Sequence, residues 1–310
     1  MQKPKIFFLI GPTAVGKTET AIHLAKKLNA EIISCDSMQI YKDMDIITSK
    51  PSKALRKKVR HHLVDVLPVG KEYNVSRYRK GAVKIIKQLI KKDKTPLFVV
   101  GTGLYMSILI DGIFEAKAQD NALRKKLYKQ AKLKGRNYLY NGLKKVDPEA
   151  AAKTHPNDTK RLIRALEVFK ITGKPISELQ KLRRGLSENY DIIVIGLDMN
   201  RENLYRRIDE RVDKMFKKGL AFEVKRLLKL KLGKTASCAI GIKELKGYFD
   251  GEYDLEEVKR KIKQSTRNYA KRQLTWFRKD KRIRWINVGE KDKPTLIANR
   301  ILKLWKKHCW

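Results

Sequence analysis

Ile6-Phe7-Phe8-Leu9-Ile10-Gly11-Pro12-Thr13-Ala14-Val15-Gly16-Lys17-Thr18 joins five apolar residues to the spacing G-x-x-x-x-G-K-T. The apolar run reads as a buried strand, and Ala21, Leu24, Ala25 and Leu28 beyond it repeat at helical spacing. A glycine-bearing loop between strand and helix is the context a phosphate-binding loop requires. Gly11 and Gly16 let the backbone of Gly11, Pro12, Thr13, Ala14, Val15 and Gly16 turn tightly, so that successive N–H groups, Pro12 having none, point into one concavity. The following helix adds its positive N-terminal end. Lys17 supplies a point charge for a phosphate, and Thr18 Oγ can ligate Mg²⁺. A di- or triphosphate is the expected ligand of this loop; what is done with it must be read elsewhere.

The chain has 310 residues, of which 42% are hydrophobic, enough for a core in one large or two modest domains. Its 72 Lys and Arg face 33 Asp and Glu, a formal +39. That surplus points to a large polyanion, with nucleic acid ahead of a membrane surface, although lysines scattered over helix faces also fit a compositional bias. Cys35, Cys238 and Cys309 are widely spaced and form no C-x-x-C pair, which suggests neither a disulfide framework nor a zinc site. No apolar stretch approaches the roughly 20 residues of a membrane span. The expectation is a cytoplasmic protein, monomeric, with no membrane and no zinc.

Along the chain, Glu31–Ser34 reads as a second strand ending in Cys35-Asp36-Ser37-Met38-Gln39. His62–Val66 reads as a short strand, and a helix is expected from about Val75 to Lys92. Pro96–Val100 is a further buried strand closed by Gly101-Thr102-Gly103. This repeated grammar implies an α/β fold of the P-loop type, a doubly wound, mostly parallel sheet. Between about Asp111 and Leu186 only helices are expected, a helical insertion in which Asp158 caps a helix with the stripe Leu162, Ala165, Leu166 and Phe169. Tyr190–Leu197 restores a core strand. Helices then run from about Arg201 to Lys218, Leu220 to Leu230 and Leu255 to Lys279, the last with a seam of Val258, Ile262, Tyr269 and Trp276. A strand near Arg284–Val288 and a basic helix close the chain. The domain reading is core 1–112, insertion 113–186 and core 187–310.

An ATPase or GTPase of this fold normally ends an apolar strand in an Asp for Mg²⁺; here the strand at Leu97–Val100 ends in Gly-Thr-Gly. The acid nearest the loop is Asp36, placed where a transferase puts the base for an acceptor. It reads equally as a turn cap. Group transfer is favoured over hydrolysis, and a small-molecule or nucleotide kinase and an inert RNA-binding protein remain open.

The blocks Gly11–Thr18, Asp36–Asp45, His61-His62-Leu63, Gly101–Tyr105, Lys160–Val168, Ala239–Glu244 and Tyr269–Arg278, in this order, resemble the bacterial tRNA dimethylallyltransferase family. The resemblance runs from Ile6 to about Asn287. It implies transfer of a dimethylallyl group from dimethylallyl pyrophosphate, with Mg²⁺, to N6 of adenosine 37 beside the anticodon of tRNA. A relative acting on free adenylate is the nearest competitor, and the basic surplus argues against it. By resemblance Asp36 is the general base, Thr102 a contact at the reaction centre and Arg211 a cation near the leaving group, although Arg211 alone reads equally as a helix-surface residue. The loop Gly11–Thr18 holds the donor pyrophosphate and Thr18 the Mg²⁺. Asp36, Ser37, Met38, Gln39 and Thr102, together with Arg124, Lys160, Arg161, Leu162, Ile163 and Arg164 of the insertion, are the implied tRNA contacts. Three positions depart from the family pattern: Val100 and Ile47 replace usual glycines, and Ile242 a usual tyrosine.

Overall fold

The computed structural model describes residues 3–114 and 120–306, so Cys309 lies outside the described residues. The chain forms two compact units, one from Met1–Ile110 with Asn189–Trp310, the other from Asp111–Glu188. In the first unit β1 (Lys5–Ile10), β2 (Ala30–Cys35), β3 (His61–His62), β4 (Thr95–Val100), β5 (Asp191–Asp198) and β6 (Arg284–Asn287) make one sheet. Its order is β3-β2-β4-β1-β5-β6, and every pair is parallel. The intervening helices are α1 (Lys17–Lys27), α2 (Lys53–Lys58), α3 (Val75–Ile90) and α4 (Gly103–Asp111). The second unit holds α5 (Asn121–Lys134), α6 (Arg136–Val146), α7 (Pro148–Ala152), α8 (Thr159–Thr172) and α9 (Ile176–Lys181). The chain then returns through α10 (Arg201–Lys217), α11 (Leu220–Leu228), α12 (Ile242–Phe249), α13 (Leu255–Phe277) and α14 (Pro294–Lys306).

β1 is apolar without alternation because both of its faces are covered, as parallel sheets require. Phe8 stacks on Phe98 of β4 with centroids 4.6 Å apart, and Phe7 meets Trp305 of α14 edge-on at 5.3 Å. β1 is therefore central, and the loop after it opens at the carboxyl edge, the ligand-binding edge of open α/β sheets.

The strand expected over His62–Val66 stops at His62, because Leu63 (φ 59°) and Asp65 (φ 56°) adopt the left-handed conformation that a pleat excludes. The expected seam of α13 also shifts. Its buried residues are Val258, Ile262, Ala270, Gln273 and Phe277, while Trp276 is 39% exposed.

The second unit has its own core, built from Leu127, Leu139, Leu143, Leu162, Ile163, Leu166 and their neighbours. Asp158 Oδ1 caps α8 by accepting from Arg161 N–H at 3.1 Å. Leu162 and Ile163 are 0% and 2% exposed. This narrows the expectation that they contact tRNA: the apolar stripe of α8 turns both side chains inward, so their side chains are not available to a ligand. Glu167, fully buried on the same helix, binds Arg124 Nε at 2.8 Å and Arg164 Nη1 at 2.7 Å. Burial pushes its carboxyl up, but the hydrogen bonds from Arg124, Arg164 and Asp120 N–H outweigh burial and hold it below its ordinary value.

Candidate active site at the carboxyl edge of the sheet

The loop after β1 is shaped by left-handed backbone at Gly11 (φ 147°), Ala14 (φ 67°) and Gly16 (φ 102°). A Cβ at Gly11 would lie 2.6 Å from Leu197 O of β5, so the loop can only run this close to the sheet with glycine there. Lys17 Nζ donates to Gly11 O at 2.8 Å and Pro12 O at 2.7 Å, which folds the ammonium back over the concavity. Burial, and next the like charge of Arg211, lower the Lys17 pKa to about 7 against the opposing pull of Asp36.

Arg211 stands on α10 beside the buried stripe Leu204, Ile208 and Val212. It is no surface residue: it lines the cavity, its Nη1 donates to Thr13 Oγ1 at 3.2 Å and its Nε to Ser49 Oγ at 2.9 Å. Burial lowers its pKa, with Glu19 and Asp36 opposing.

Asp36 ends β2. Its Oδ1 accepts from Met38 N–H at 2.8 Å and Gln39 N–H at 3.3 Å, so the turn-cap reading holds for one oxygen. Oδ2 faces Gly101, where an added Cβ would come within 2.3 Å of it, and no described residue donates to Oδ2. Ser37 N–H donates to Thr102 Oγ1 at 3.1 Å, and Gly101 N–H and Thr102 N–H both reach Cys35 O at 3.0 Å. Ser34 Oγ donates to Gln39 Oε1 at 3.0 Å. Strand ends that are neighbours in the sheet thus become one polar rim.

A cavity of about 1000 Å³ has Thr13, Ala14, Gly16, Lys17 and Thr18 on one wall and Asp36, Ser37, Met38 and Gln39 on another, with Gly101 and Arg211 also lining it and Thr102 outside the lining. Thr102 meets the rim through Ser37. Arg124, Lys160, Arg161 and Arg164 belong to the other unit. There Arg161, 63% exposed in its side chain, pairs only with its own helix cap Asp158 at 3.3 Å among the described residues.

Sequence reading missed Gln273. Its Oε1 accepts from Thr13 N–H at 2.9 Å and its Nε2 donates to Gly101 O at 2.7 Å, while Tyr269 OH donates to the same carbonyl at 3.0 Å. A glutamine on the apolar stripe of an amphipathic helix is the signal that could have found it. Asp198 was missed as well. The strand-end acid absent from β4 is present on β5, but Met199 N–H (2.9 Å) and Arg278 Nη2 (2.9 Å) engage it, away from the cavity lining.

The depressed Lys17 has a measurable consequence. An anionic diphosphate raises the lysine pKa again, so inorganic pyrophosphate binding near pH 8 should draw in up to about one proton. Lys17→Arg, charged throughout, should take up less. Calorimetry in buffers of different ionisation enthalpy reads the difference, and equal proton counts in the two proteins would refute it.

Two family models match the chain. An IPP transferase model matches residues 39–280 and an isopentenyl transferase model residues 4–70. The chain is a member of the IPP transferase family. It is 45% identical over 309 residues to the tRNA dimethylallyltransferase of Alkaliphilus oremlandii, covering 99% of this chain and 98% of that one. It is 48% identical over 288 residues to that of Carboxydothermus hydrogenoformans (92% and 93% covered). Among solved structures it resembles the full-length tRNA isopentenylpyrophosphate transferase of Bacillus halodurans, with TM-score 0.71, 38% identity and 98% of each chain covered. It also resembles a eukaryotic dimethylallyltransferase acting on tRNA, with TM-score 0.82, 30% identity and 98% of this chain and 79% of that one covered.

Two of the three departures from the family pattern fit without strain. Val100 is fully buried and pairs with Cys35, with its neighbours Val99 and Gly101 turned to the cavity. Ile47 has no left-handed φ, so the position does not demand glycine, and its Cδ1 lies where a Cβ added at Gly241 would meet it at 3.4 Å. Ile242 opens α12 and is 5% exposed.

Proposed function

We propose that this IPP transferase moves a dimethylallyl group from dimethylallyl pyrophosphate to N6 of adenosine 37 in tRNA. The observation that carries the reading is the shared cavity, which sets the anion loop and Arg211 against Asp36. The N6 lone pair attacks C1 of the dimethylallyl group, the C1–O bond breaks and pyrophosphate leaves. The N6 proton goes to Asp36 Oδ2. An exocyclic adenine amine is a weak nucleophile, so a carboxylate that takes its proton helps, while Lys17, Arg211 and the loop N–H groups offset charge on the departing oxygens. Thr102 and the Ser37-Met38-Gln39 turn hold the base.

Mg²⁺ fits this donor set. Among the described residues no group of three His, Cys, Asp or Glu could hold a metal unaided. Thr18 Oγ, an oxygen donor of the kind Mg²⁺ prefers, would hold the ion together with the donor, and a bound ion would supply charge neutralisation at the leaving group.

The +39 surplus suits a polyphosphate partner such as the tRNA anticodon stem-loop, and flipping the base out of its stack costs roughly a few kcal/mol that backbone contacts offset. In the described residues no helix is long and apolar enough to cross a membrane; with Cys35 and Cys238 free, a cytoplasmic, monomeric enzyme without zinc is the reading we favour. The deciding experiment incubates protein, tRNA, Mg²⁺ and dimethylallyl pyrophosphate, then analyses the nucleoside digest by mass spectrometry. Prenylated adenosine with released pyrophosphate and no ATP requirement is expected. ADP formation on a small-molecule acceptor, with unmodified tRNA, would favour a kinase instead.

The insertion residues separate by role. Arg161→Ala and Lys160→Ala should weaken tRNA binding and flatten its salt dependence without changing Tm. Arg164→Ala should also destabilise the second unit by about 1–3 kcal/mol, because Glu167 stays buried with one partner fewer. Salt titrations beside thermal melts distinguish them, and an unshifted melt for Arg164→Ala would contradict the structural part.

A further inference from the structure

Glu223 on α11 is 8% exposed and pairs with no cation among the described residues. Its carboxylate instead receives three consecutive backbone N–H groups. Asp45 N–H donates to Oε2 at 3.1 Å, Ile46 N–H to Oε2 at 2.9 Å and Oε1 at 3.0 Å, and Ile47 N–H to Oε1 at 2.9 Å. A buried carboxylate is tolerable only when hydrogen-bonded in this way.

The segment it grips is a single tight turn in the cavity wall. Ser49 N–H returns to Ile46 O at 2.9 Å, Lys50 N–H to Asp45 O at 3.0 Å, and Thr48 Oγ1 donates to Met44 O. One isolated turn fixes its backbone for few hydrogen bonds and does not persist alone. Its last residue, Ser49, is held left-handed at φ 46°, a conformation unfavourable for a residue with a Cβ unless its surroundings impose it. Ser49 Oγ accepts from Arg211 Nε at 2.9 Å and donates to Met215 Sδ at 3.7 Å. The same guanidinium reaches Thr13 Oγ1 in the phosphate loop. A continuous set of contacts therefore runs from Glu223 through the turn to Ser49, Arg211 and the loop.

We propose that Glu223 is a positioning residue for the donor diphosphate: by clamping Asp45–Ser49 it presents Ser49 Oγ to Arg211 and aims the guanidinium at the leaving group. The inference rests on the transfer reading above, in which Arg211 meets the leaving pyrophosphate. Glu223 is not part of the cavity lining, so its effect passes through the turn it clamps, and Ser49 is the turn residue that reaches Arg211.

Glu223→Gln keeps shape and volume but turns an NH₂ toward N–H donors, and it should loosen the turn. Calorimetry with inorganic pyrophosphate and Mg²⁺ should then show Kd raised about tenfold, and kcat should fall while KM for tRNA stays within about twofold. Ser49→Ala, which leaves Glu223 and its hydrogen bonds in place, should raise the pyrophosphate Kd in the same direction. The double variant should be no worse than Glu223→Gln alone, because both act along one path. A residue that served only folding would lower Tm and the active fraction without touching the pyrophosphate Kd of the folded protein. Unchanged Kd in Ser49→Ala, or additive losses in the double variant, would overturn the proposal even if Glu223→Gln failed to fold. Wild-type protein that binds pyrophosphate but prenylates no tRNA would sink the transfer reading instead, and the pyrophosphate measurements would still decide whether Glu223 positions Arg211.

Discussion

Asp36→Asn should lower turnover by about 10²–10⁴-fold while tRNA affinity stays within about twofold. The substitution isolates one function. Asn keeps an oxygen at the Oδ1 position, where Met38 N–H and Gln39 N–H donate at 2.8 and 3.3 Å, so the turn that carries Ser37, Met38 and Gln39 survives. The other oxygen becomes an NH₂, which cannot take a proton from an amine. Single-turnover rates with saturating donor, measured beside tRNA binding, give both quantities. Turnover within a few-fold of wild type would remove Asp36 as the base and leave it a turn cap alone.

Gly101→Ala should be nearly as damaging, through geometry and not through charge. The added Cβ would sit 2.3 Å from Asp36 Oδ2, and the carboxylate must swing away or the rim must shift. Gly101 O also accepts from Gln273 and Tyr269, so moving the backbone loosens two further contacts. A displacement of about 1 Å at a reacting group costs on the order of 10²-fold in rate. The same kinetic assay tests this, with a smaller loss expected in pyrophosphate Kd than in rate, because the loop Gly11–Thr18 is reached only through Gln273. A rate within about threefold of wild type would show that the rim absorbs the methyl group without cost.

The strand, loop and helix from Ile6 to Leu28 were legible because the motif and the two periodicities agree. Four further strands were also legible as apolar runs, whereas His62–Val66 shrank to His61–His62 where Leu63 and Asp65 go left-handed and Asp65 binds Lys50 and Arg56. The site was legible where its residues are consecutive. Gln273 and Glu223 were not, because each acts on backbone groups more than 170 residues distant in sequence, a relation that no local pattern records. Leu162 and Ile163 show the opposite error: a block resemblance treats neighbours alike, whereas a helix sends adjacent side chains in different directions.

Gln273 offers one amide to two masters. Its carbonyl oxygen holds Thr13 N–H in the anion loop and its NH₂ holds Gly101 O beside Thr102. Planarity of the amide fixes the two hydrogen bonds to each other, so any shift of the loop on filling with anion is transmitted to the Gly101 turn, and the reverse. Whatever change in affinity one site then imposes on the other acts by the same factor in both directions, through a single side chain on α13.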